Sequence, residues 1–222
     1  WLHGAIAKNL NAKVDVTLNS TTTTFKGFEK YNFDDAARNF SAEPQPIFDD
    51  NINEEGKAKV KADIEVKNNA PGMLLAGFKV RVFEQGGAFS TDQFSMLYSP
   101  YESYVGVQVP SGAAFTGMLE TDVDHIVNIA TVNSDGKPVS KNKLKVQVFK
   151  IGWRWWWDSY DGDLASYIGN EYKQAIQEQE ISTVNGKGKF KLRINQPEWG
   201  RYYICVTDPE SGHRTGQTVY IE

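Results

Sequence analysis

Short runs in which apolar and polar side chains alternate recur along this chain at roughly ten-residue spacing, each closed by Gly, Asn, Asp or Pro. Strict alternation turns one side of an extended strand toward a core and the other toward water. Residues 12–18 and 58–66 alternate most cleanly, the second as Ala58, Val60, Ala62, Ile64 and Val66 against Lys59, Lys61, Asp63 and Glu65. Further strands are expected at 45–48, 74–83, 88–97, 104–109, 124–132, 144–149, 189–194, 201–206 and 217–221. For 172–183 helical and strand periods compete, and the reading leans to a strand. Residues 27–57 are otherwise read as irregular, and Asn133 to Pro138 as a hairpin turn built on Asp135-Gly136. With 19 Gly and 13 % aromatic residues, the composition favours strands and tight turns over helices.

The 222 residues hold two such series of strands. Small permissive residues at 111–117 separate them, so the chain is expected to be all-β, with two tandem antiparallel β-sandwiches at 1–112 and 113–222. An insertion is expected near 158–171. The chain opens at Trp1 without Met and reads as a piece of a longer chain, whose first domain lacks much of its first strand and keeps an unpaired edge.

Charge and cysteine count narrow the function. With 24 basic and 28 acidic residues, and neither half basic, nucleic acid is not an expected partner. No run of about 18 apolar residues occurs, so no spanning helix is expected. A single cysteine, Cys205, forbids an internal disulfide and a multi-cysteine zinc site. His3, His125 and His213 lack partners at ligand spacing, so no metal is expected. Residues 158–163 resemble a calcium loop in their closely set oxygens, but Tyr160 and Gly169 stand where an EF-hand needs ligands. No nucleophile elbow or phosphate-binding loop occurs. Glu198 and Asp208 are the pair of carboxylates an acid–base reading would use, but no motif supports an enzyme. No catalytic residue and no cofactor is expected.

The loudest signal is Trp153-Arg154-Trp155-Trp156-Trp157. On a strand, Trp153, Trp155 and Trp157 share one face and Trp156 takes the other. Two readings stay open: indoles filling the core and a domain contact, or an exposed platform for sugar rings or a protein partner. The second makes the chain a carbohydrate-binding or adhesive module.

Several stretches resemble the bacterial alpha-2-macroglobulin-like family. They are Leu2-His3-Gly4-Ala5, Ala70-Pro71-Gly72-Met73-Leu74, Val82 to Gly87, Ser99-Pro100-Tyr101, Thr121 to His125, Asp135 to Val139, the Trp153–Trp157 cluster and Pro197 to Tyr202. Ala5 departs from the family pattern, where Pro is usual. The resemblance implies two consecutive macroglobulin domains, immunoglobulin- or fibronectin-like sandwiches from the middle of a longer chain. It implies a protease-trapping inhibitor of the periplasm or cell envelope, commonly lipid-anchored. The thioester of such proteins needs a Cys two residues before a Glu-Gln pair; before Glu84-Gln85 that position is Val82. The fragment is therefore expected to be non-catalytic scaffold. Its partners would be neighbouring macroglobulin domains, and proteases through the full-length protein, with no membrane contact of its own.

Overall fold

The computed structural model describes residues 6–41, 43–66, 69–114, 116–152 and 175–222. Among them are eleven strands and no helix, all strand pairs being antiparallel. The chain forms two compact units. The first comprises Trp1–Thr21, Phe40–Asn69 and Leu74–Tyr98; the second comprises Thr22–Asn39, Ala70–Met73 and Ser99–Glu222. Residues 111–117, where the sequence places the junction, lie inside the second unit, and two segments from the first half of the chain belong to it as well.

The first unit is a four-stranded sheet of β1 (Asn11–Ser20), β2 (Gln45–Asn51), β3 (Leu74–Phe83) and β4 (Phe89–Tyr98), in the order β2-β1-β3-β4. The register sets Val14 opposite Val80, Val16 opposite Phe78, and Phe78 opposite Phe94. One face is therefore apolar, and Phe78 and Phe94 stack on it with ring centres 4.9 Å apart. The other face carries Lys13, Asp15, Lys79 and Arg81, with Arg81 bonded to Asp15 at 2.5 Å. β4 forms within the stretch expected to be a strand, yet nearly all of it is exposed.

Residues 57–66 depart from expectation. Their alternation is that of a strand, but they join no ladder. Alternation records which side of an extended chain meets apolar surface; a strand also needs a neighbour to pair its backbone. The segment leaves the Asn53 turn, where the Asn53 Oδ1 accepts the Glu55 and Lys57 amides. It is tethered again at Glu65, whose N–H and C=O both bond the Gln45 side chain, at 3.0 and 2.7 Å.

The second unit is a seven-stranded sandwich. One sheet is β11-β10-β7-β8, from β7 (Lys141–Ile151), β8 (Gln177–Thr183), β10 (Gly200–Thr207) and β11 (Arg214–Ile221). The other is β5-β6-β9, from β5 (Ser103–Gln108), β6 (His125–Asn133) and β9 (Lys187–Leu192). Alternate residues from both sheets fill the core: Val105, Val107, Val127, Ile129, Leu144, Val146, Val148, Phe190, Leu192, Tyr202, Ile204, Val206 and Ile221. The Tyr202 hydroxyl donates to the Glu198 carbonyl, bracing the entry to β10 as a tyrosine corner does in immunoglobulin-like sandwiches.

The Asp135-Gly136 turn forms, with the Gly136 N–H bonded to the Asn133 carbonyl at 2.9 Å. It is not a simple hairpin. Only a Val132–Pro138 bridge follows it before the chain crosses to the opposite sheet, because β7 pairs with β8 and β10 and β6 pairs with β5 and β9. The ambiguous stretch resolves as strand over β8.

Candidate functional site

Two strands of the second unit are buried on both faces. β5 is closed over from Ser103 to Val107, and β10 from Tyr202 to Val206. The outward-facing residues are Tyr104 and Gly106 on β5, and Tyr203 and Cys205 on β10. A strand in a two-layer sandwich has water on its outer face unless something lies over it. Here the cover is Thr22–Asn39.

This segment clips around the seam where the two sheets meet. On the β5 side, Phe25 and Phe33 pack with Tyr104, Ala130, Val132 and Met73, and the Phe25 and Phe33 rings meet edge-on at 4.8 Å. Gly106 is required there, because a Cβ would run into the Phe33 ring. At the seam the chain pairs with both edges. Asn32 and Val107 exchange backbone hydrogen bonds at 2.8 and 2.9 Å, and the Gly216 N–H donates to the Asp34 carbonyl at 3.1 Å. The Asn32 amide adds bonds to the Gly216 and Asp34 carbonyls at 3.0 and 2.8 Å, and the Thr215 hydroxyl donates to the Asn32 carbonyl at 2.7 Å. Beyond the seam Ala37 packs with Phe149, Ile151, Tyr203 and Cys205 on the other sheet's outer face.

The latch of the clip is Asp35, whose side chain is fully buried. It accepts from the Tyr203 hydroxyl, from Arg214 Nε at 2.6 Å and from the Ala37 N–H at 3.0 Å, and it pairs with Arg38 at 3.2 Å. A buried carboxylate is tolerable only when its charge and lone pairs are met in this way. Burial opposes the charged form of Arg214, but Asp35 outweighs it and holds the guanidinium pKa above its ordinary value. Burial and the adjacent Asp35 push the Tyr203 hydroxyl far up. Burial pushes the Cys205 thiol up to about 12, which leaves it protonated and a poor nucleophile. Asp34 receives the Thr23 N–H, while the Thr23 hydroxyl takes the Met73 N–H at 2.7 Å; burial raises the Asp34 carboxyl.

Beside the latch, His213 is buried between Tyr101 and Tyr104, its ring 5.0 and 4.7 Å from theirs. Its Nδ1 accepts the Val105 N–H at 3.0 Å, and its Nε2 has no hydrogen-bond partner among the described residues. Burial drives its pKa down to about 3. Asp208 is fully buried and receives Ser103 Oγ at 2.9 Å, Ser211 Oγ at 3.0 Å and the Glu210 N–H at 3.0 Å, with Lys141 at 3.3 Å. Burial opposes its ionised form, but these donors prevail and hold the carboxyl below its usual range.

Trp153, Trp155, Trp156 and Trp157 lie outside the described residues, as do His3 and the 158–163 loop. Glu198 is bound to Lys150 at 2.5 Å at the surface, whereas Asp208 is consumed by its buried donors, so the two carboxylates serve separate structural bonds. The His125 ring nitrogen meets the Glu120 carbonyl at 2.8 Å. Among the described residues no three metal-binding side chains come together. The Asp35 cluster was missed in the sequence, where Asn32, Asp34 and Asp35 read as turn residues. Its signal lay in β5 and β10, whose outward positions are as apolar as their inward ones.

A sandwich of three and four strands in one unit, and an antiparallel four-stranded sheet in the other, fit the architecture of macroglobulin domains. Bacterial macroglobulin domain 6 matches residues 106–222, and the MG5 domain of bacterial alpha-2-macroglobulin matches residues 1–100. The chain belongs to the bacterial alpha-2-macroglobulin family. No curated protein matches the sequence. Similar solved structures include trypsin-activated alpha-2-macroglobulin from Escherichia coli, 13 % identical with a TM-score of 0.62, over 100 % of this chain and 15 % of that one. The native E. coli protein gives 13 % and 0.58, over 100 % and 14 %. A Salmonella alpha-2-macroglobulin mutant gives 13 % and 0.55, over 99 % and 15 %. The chain thus spans about 15 % of the length of these relatives, and at this identity they speak to the fold.

Proposed function

We propose that this chain is non-catalytic scaffold within a bacterial protease-trapping inhibitor held in the periplasm or cell envelope. The observation that carries the reading is the match to consecutive macroglobulin domains along almost the whole chain. The use of the buried chemistry supports it. Asp35, Arg38, Arg214, Tyr203, Asp208 and Lys141 neutralise one another in place, and the one thiol is buried and protonated. Groups spent on holding strands together serve a framework.

The test is the parent full-length protein mixed with trypsin. Digestion of a large protein substrate should slow while hydrolysis of a small peptide substrate continues, as expected when the protease is enclosed and still active. Unchanged digestion of the large substrate would sink the trap reading.

A further inference from the structure

On the outer edge of β5, Val105 and Val107 turn their N–H groups the same way, since backbone groups alternate between the two edges of a strand. The Asn32 carbonyl of the clip takes the Val107 N–H at 2.9 Å, and the His213 Nδ1 takes that of Val105 at 3.0 Å. A side-chain nitrogen thus stands where a further carbonyl of the clip would complete the ladder. It accepts only while unprotonated, so the neutral ring carries its proton on Nε2. That Nε2 has no hydrogen-bond partner among the described residues, and the ring is fully buried. A second proton would set two N–H donors against each other at Val105 and leave a buried charge under the clip.

Tyr101 and Tyr104 face the ring from the β5 side, Arg38 from the clip, and Asp208 from just past β10. Asp34 and Asp35 of the clip and Arg214 lie beside the two tyrosines. Burial and Arg38 disfavour the imidazolium and outweigh the Phe33 carbonyl and Asp208, which favour it. Burial raises both phenols, so neither titrates in acid, and the donors around Asp208 keep it ionised below the usual carboxylate range. Asp34, whose carboxyl burial raises, takes up a proton closer to the same range and needs its own control.

We propose that His213 is a proton-operated release that lifts the clip from β5 in acid. The ring takes a second proton, gives up the Val105 N–H and moves into water. The edge of β5 then loses its partner at Val105, the Asn32–Val107 pairing opens with it, and Phe25, Phe33 and Tyr104 are uncovered. The Asp35 latch beyond the seam and the core between the sheets stay closed. The device is local: one side-chain acceptor, set in the middle of a backbone ladder, makes that ladder conditional on the ring being neutral.

The test is amide exchange in the whole 222-residue chain from pH 6.5 down to 4.5, read as protection over the intrinsic rate at each pH. Across this range the open clip binds one proton more than the closed one, because the ring's ordinary pKa is 6.5 and its value in place is about 3. Protection of the Val105 and Val107 amides should therefore fall by about tenfold per pH unit. Ala37, bonded to the Asp35 carboxylate, and Val146 and Ile204 in the core should keep theirs. His213→Gln, whose amide oxygen can accept the Val105 N–H but cannot be charged, should abolish the slope. Asp34→Asn, which keeps an acceptor for the Thr23 N–H, should preserve it. A slope that survives in His213→Gln, or vanishes in Asp34→Asn, would overturn the proposal. So would protection at Val105 and Val107 that stays flat with pH in the unsubstituted chain, or that falls in step with Ala37, Val146 and Ile204.

Discussion

At Asp35 one fully buried carboxylate answers two guanidinium groups, a phenol and an amide. Asp35→Asn removes the charge and turns an NH₂ group against Arg38 or Arg214. The expected loss is about 3–5 kcal/mol in urea unfolding, the range for breaking a buried ion pair from one side. Asp49→Asn, which breaks the exposed pair with Lys13 at 2.9 Å, should leave the midpoint where it was. His213 predicts a distinct pH dependence. Its pKa is about 3 when folded, against 6.5 when exposed, so as pH falls the unfolded chain takes up this proton first. Stability should decline as pH drops below the unfolded value, by up to about 1.4 kcal/mol per pH unit. Unfolding curves between pH 7 and 4.5 read this slope, and His213→Met should flatten it. Asp208 is kept out of that window: its folded pKa is depressed, so its contribution holds above the ordinary carboxylate value and fades only below it.

Among elements, the clip and the edge strand β4 make opposite predictions for the same kind of side chain. Phe33 is fully buried where Thr22–Asn39 meets β5, so Phe33→Ala should cost about 3–5 kcal/mol. Phe94 stands half exposed on β4, and Phe94→Ala should cost clearly less in the same urea titration. Strands were the legible part of the sequence. β1, β3, β7 and β9 follow from period-two patterning because one of their faces meets water or partial cover. Residues 57–66 have the pattern without the pairing, since a side-chain period says nothing of whether another backbone lies alongside. The clip was illegible for the opposite reason. Its buried Asp35 and part-buried Asn32 and Asp34 are the residue types that also make solvated turns, and only the distant partners Arg214 and Tyr203 distinguish the two uses.

For the whole chain, unequal packing of the two units should appear as unequal opening. The second unit has a closed core between two sheets, whereas the first exposes Phe89, Phe94, Met96 and Leu97 and leaves 58–64 without backbone partners among the described residues. Amide exchange should therefore be fastest at 58–64, slower in β1 and β3, and slowest in β6, β7 and β10. Slow exchange throughout 58–64 in the free chain would contradict this order. The clip also bears on synthesis. Asp35 leaves the ribosome 179 residues before Arg214, a delay on the order of 10–40 s at ordinary elongation rates. Throughout that interval Asp35 is translated but unlatched, and the nascent chain carries a strap whose buckle has yet to be made.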